Sequence, residues 1–149
     1  MKRLIATERR TALAAAVLAL LGGLVYLTGL CLDAVALLSF PDDAGRVGLH
    51  AAVDLVLVSA LLPGGVLLLR REPLGRIGCI AGSCAAMLAT LTSTLLAAAG
   101  VTFTDFGPSG LAVGGLGALA LVVPPAVVTL ALAASGPAAR WCGAEIHPT

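Results

Sequence analysis

Four long apolar stretches decide what this chain can fold into. They cover residues 11–32, 47–69, 77–101 and 111–134, with short charged or Gly/Pro-bearing breaks between them. A helix of about 20 residues spans the roughly 30 Å of a bilayer's hydrocarbon core at 1.5 Å per residue. In hydrocarbon the backbone has to satisfy its own hydrogen bonds, so runs this long are helices and not strands. Composition agrees: 59% of the 149 residues are hydrophobic and only 11% charged, against about a quarter charged in a water-soluble domain. The expected fold is therefore all-α, a single integral membrane bundle of four transmembrane helices with no separate soluble domain. Aromatic residues make up only 3%, so the helices are expected to pack through small and aliphatic side chains.

Charge sets the expected orientation. Lys2, Arg3, Arg9 and Arg10 precede the first run; Arg70, Arg71 and Arg76 separate the second from the third; Arg140 follows the fourth. The other two connections hold Arg46 together with Asp33, Asp42, Asp43 and Asp105. Four crossings gather eight of the nine basic residues on one side, which the positive-inside rule makes cytoplasmic. Both termini are expected inside and the acidic connections outside, in a bacterial cytoplasmic membrane. Ala34-Val35-Ala36 has the form of a signal-peptide cleavage site, but the run before it exceeds an h-region of about 7–15 residues. That run is expected to remain as a span.

Within the helices, Gly78, Gly82, Ala86, Thr90 and Thr94 recur at four-residue spacing and line one face with small residues. Gly110, Gly114 and Ala118 form a second such face in the fourth run. Small-residue faces let backbones approach closely in membranes, so helices three and four are expected to pack together or to face another chain. Pro63-Gly64-Gly65 and Pro124-Pro125 interrupt the second and fourth runs. Proline withholds an amide from the helix, leaving either an ordinary kink or the broken helix of a transporter.

The polar residues gather at the outer end. Arg46, His50 and Asp54 follow at four-residue intervals and share one helix face; Asp33 and Asp105 can reach the mouth of this ladder. A carboxylate at a helix centre costs about 2.5–3.5 kcal/mol, and less toward the interface. Three readings follow: a hydrated Asp54 neutralised by its neighbours, a site for a proton, cation or polar ligand, or catalysis.

His50-x-x-x-Asp54 and Gly107-Pro108-Ser109-Gly110 resemble the HxxxN and GxSG motifs of rhomboid proteases. The resemblance covers those two motifs only and would make Ser109 a nucleophile. Asp54 replaces the Asn, and the one other histidine, His147, falls in the inner tail, so no general base is at hand. No catalytic residue is assigned. Cys31, Cys79, Cys84 and Cys142 form no CxxC pair, and one histidine with scattered aspartates makes a thin ligand set. No metal or cofactor is expected, and nothing suggests nucleic acid. The leading reading is a non-catalytic accessory subunit or homo-oligomer acting through helix packing, its partners being lipid and another subunit or itself. The alternative is a small transporter or ligand- or proton-binding protein using Arg46, His50, Asp54, Asp33 and Asp105.

Overall fold

A computed structural model describes residues 2–99 and 116–143. Among these, all regular structure is helical: α1 (Lys2–Ser39), a short 3₁₀ turn (Pro41–Asp43), α2 (Ala44–Leu69), α3 (Pro73–Ala98), α4 (Leu116–Ala134) and α5 (Gly136–Trp141). Three helices, Ala6–Ser39, Ala44–Leu69 and Pro73–Ala98, are long and apolar enough to cross a membrane, and Leu119–Ala134 is a shorter apolar helix. The start of the expected fourth run, with Asp105, Ser109, Gly110 and Gly114, lies outside the described residues.

α1 is longer than its apolar run. Its 38 residues measure about 57 Å, so the basic start at Lys2–Arg10 is helical as well. Successive helices pack side by side and α4 closes back on α1. The core is built of small residues: Ala12, Ala15, Ala16 and Ala19 on α1, Cys79 and Ala86 on α3, and Ala126 and Ala133 on α4, with Leu57, Leu61 and Leu68 from α2. Large apolar side chains point the other way; Leu38 is 88%, Leu121 72% and Leu95 70% exposed. In water such a surface would aggregate, whereas lipid chains solvate it.

Both proline sites stay helical, because α2 runs through Pro63 and α4 through Pro124 and Pro125. The glycines after Pro63 serve packing on two sides. A Cβ on Gly64 would lie 2.9 Å from the Cys79 amide nitrogen and 3.0 Å from the Gly78 carbonyl carbon of α3; one on Gly65 would lie 2.8 Å from Leu20 Cγ of α1. Gly78 faces Gly64 and Ala60, and Gly82 faces Leu61 and Ala60. The small-residue face of α3 around Gly78 and Gly82 is thus taken up by α2 within the chain, where proximity to α4 or another chain was expected.

The α2–α3 turn is tight for a local reason. Arg71 takes a left-handed backbone (φ 64°), with Glu72 N donating to Leu67 O at 2.9 Å and Arg71 N to Leu68 O at 3.1 Å. This is a Schellman ending of α2, followed by Pro73 in the first turn of α3, where its missing amide costs nothing. Arg71 does without the usual glycine; its guanidinium lies 4.1 Å from the centroid of the Trp141 ring. Trp141 Nε1 in turn donates to Leu68 O at 3.2 Å. Arg76 caps the end of α4 through Ala133 O at 2.8 Å and Ala134 O at 3.1 Å, where a cation complements the helix dipole. Arg140 donates to Glu8 Oε1 at 2.6 Å. The start of α1, the α2–α3 turn and α5 therefore meet at one basic end.

Gly64→Ala, which forces α2 and α3 apart, is expected to destabilise the protein by about 1–3 kcal/mol. Gly48→Ala meets nothing within 4 Å and is expected to stabilise it by up to about 1 kcal/mol. Paired melts in one detergent check the contrast.

Candidate cation site at the acidic end

The opposite end of the bundle is built where α1 turns through Pro41–Asp43 into α2. Asp54 lies ten residues into α2, about 15 Å along the helix from Ala44, and turns inward against α1; it is only 5% exposed. His50, one turn earlier on the same face, is exposed, and Asp33 near the end of α1 is partly buried.

The three converge. His50 Nδ1 and Asp33 Oδ2 are 2.8 Å apart, a charge-assisted hydrogen bond when the imidazole is protonated. The contact from His50 Nδ1 to Asp54 Oδ2 is 3.9 Å, longer than a hydrogen bond. One potential ligand atom from each of Asp33, His50 and Asp54 lies within 4.8 Å of the other two. His50 and Asp33 are the charges that act on Asp54. Arg46 begins the ladder in the first turn of α2 and is partly buried. Asp33 of α1 thus joins His50 and Asp54 of α2 across the helix interface.

One site residue escaped the sequence reading. Asp54 Oδ2 occupies the space that a Cβ on Gly29 would need. Gly29 stands one turn before Asp33 on the same face of α1, so α1 offers a glycine slot and then a carboxylate to one face of α2. That spacing was visible in the sequence, but Gly29 gains meaning only once α1 and α2 are known to be in register.

The chemistry is that of a cation acceptor. With the imidazole neutral and both carboxylates ionised, the cluster carries two negative charges, one of them nearly out of reach of water. Buried charges are normally paired or bound to metal. Two carboxylate oxygens and an imidazole nitrogen are hard-to-borderline ligands suited to zinc, manganese or ferrous iron. Tetrahedral bonds of about 2.1 Å place ligand atoms about 3.4 Å apart; the two His50 separations, 2.8 and 3.9 Å, stand on either side of that, and the two carboxylates lie within 4.8 Å of each other. Three protein ligands leave a position open for water or an incoming group. Comparison with protein families, curated proteins and solved structures gives no match to this chain, so the site is read from its own chemistry.

The slot at Gly29 predicts non-additivity. Gly29→Ala is expected to destabilise the native chain by about 1 kcal/mol, through displacement of the Asp54 carboxylate, and to have little effect in an Asp54→Ala background. A double-mutant cycle of unfolding free energies measures the coupling.

Proposed function

We propose that this membrane protein binds a divalent transition-metal cation at its outer face through Asp33, His50 and Asp54. The observation that carries the reading is the convergence of these groups from α1 and α2 around a buried carboxylate whose ion contact is loose. A divalent ion neutralises the cluster in full, whereas a single proton leaves one negative charge.

The topology belongs to the same proposal: four spans, both termini cytoplasmic, in a bacterial cytoplasmic membrane. Contact between Arg140 and Glu8 supports it, because it joins the two ends of the chain at the basic end. Arg70, Arg71 and Arg76 lie at that end too, as the positive-inside rule asks of a cytoplasmic face. The cation site is then reached from outside, and the open coordination position suits uptake, sensing or handing-on of the ion. Packing against a partner subunit or a second copy draws less support, since Gly78 and Gly82 meet α2 of the same chain. Asp105 remains a candidate further ligand from the outer loop; it lies outside the described residues.

Titration of the purified protein with zinc or manganese in a calorimeter tests the reading. One equivalent is expected to bind, with His50→Gln and Asp54→Asn each weakening binding at least tenfold and leaving the melting temperature of the metal-free protein close to native. Binding is expected to weaken from pH 7.5 to pH 5.5, because protons compete with the metal for the imidazole and carboxylates. Unchanged affinity in both variants would refute the site.

A further inference from the structure

A second feature lies deeper in the bundle. Where α4 closes on α1 the bundle holds a cavity of about 250 Å³. Small and aliphatic groups, among them Gly22, Leu61, Ala86 and Pro125, form its walls, and Leu21, Val25 and Leu121 also line it. Those last three are 55%, 58% and 72% exposed on the bundle's flank. The cavity thus opens sideways, toward acyl chains.

Its polar groups are unusual. Nine other Ser and Thr hydroxyls among the described residues donate to a carbonyl three or four residues earlier in the chain. Ser83 does not: it is 2% exposed and its Oγ has no hydrogen-bond partner. A buried hydroxyl left in this state needs an explanation, and Ser83 lines the cavity. Tyr26 Oη, also on the cavity, is buried and unpartnered. It is the less decisive of the two, because the Thr90 hydroxyl lies close enough to act on it.

We propose that this cavity binds a neutral, lipid-soluble molecule bearing a carbonyl on a ring-sized apolar body, the chemistry of a quinone head group. Ser83 Oγ donates to that carbonyl, and Tyr26 supplies a second hydroxyl. None of the lining residues is charged, which excludes an ionised head group at this depth. An engineered cavity of about 150 Å³ already admits benzene, so the space suffices for a substituted ring. An acyl chain would fill the volume and leave the Ser83 proton unmet. The cavity and the cation site share no residue, although Tyr26 lies close enough to Asp54 to feel its charge; the Ser83 contact is therefore the part tested apart from metal binding.

The test uses the full chain in detergent, with a fully substituted decyl benzoquinone carrying a diazirine and mass spectrometry to map the crosslinks. Labelling is expected on residues 18–26 and 121–129, displaced by the untagged quinone. Decylbenzene, which has no carbonyl, is expected to compete at least tenfold more weakly, and Ser83→Ala to shift the quinone midpoint at least fivefold with an unchanged melt. Should Ser83→Ala misfold, Ala86→Leu, which fills the cavity from the same helix, is expected to abolish labelling. Equal competition by decylbenzene would reduce the cavity to a slot for any acyl chain and overturn the proposal. So would a Ser83→Ala midpoint equal to native, or labelling spread over the whole lipid-facing surface.

Discussion

The placement of α2 depends on glycines standing where any side chain would collide. Gly64 lets α2 approach Gly78 of α3, Gly65 lets it approach Leu20 of α1, and Gly29 of α1 leaves a slot that Asp54 fills. A bundle in lipid cannot rely on the hydrophobic effect to bring helices together, because tails are as apolar as leucine. Close van der Waals fit takes over, and close fit needs small residues. Contacts on two sides fix both the depth and the rotation of α2. Asp54 is carried inward by the same geometry that seats Gly64.

This makes the acidic end a consequence of the packing. Once α2 is in register with α1, Asp33 and His50 stand 2.8 Å apart and Asp54 lies beneath them. Two carboxylates and one imidazole are thus brought together from α1 and α2 by contacts elsewhere in the bundle. The basic end is organised by different means. There Arg71, Arg76 and Arg140 each meet an identified partner, the Trp141 ring, two α4 carbonyls and Glu8. At the acidic end His50 pairs with Asp33 and stands 3.9 Å from the buried Asp54 carboxylate.

Much of this was legible in the sequence and some was not. Apolar length gives the helical membrane class, and the i, i+4 spacing of His50 and Asp54 puts them on one face, because both follow from the local geometry of a helix. Convergence of Asp33 on His50 is a property of the α1–α2 register, which no periodicity within either helix encodes. The role of Gly29 and the unmet hydroxyl of Ser83 are hidden for the same reason. The spacing of small residues on α3 marks a face of the helix, yet not which helix Gly78 and Gly82 stand against. Gly78 and Gly82 suit α2 and α4 equally until Gly64 is seen opposite them. Of the two readings of the prolines, continuous helices through Pro63 and Pro124-Pro125 fit the ordinary one rather than a broken helix.

Asp33, His50 and Asp54 are proposed as the first coordination sphere of a metal ion. X-ray absorption at the zinc edge of the zinc-loaded protein tests it most directly. Zinc held by these three residues gives a shell of oxygen and nitrogen at about 2.0–2.1 Å, with the multiple-scattering pattern of a single imidazole. A sulfur shell at about 2.3 Å, which would put the ion on cysteine, or a shell with no imidazole signature would contradict it.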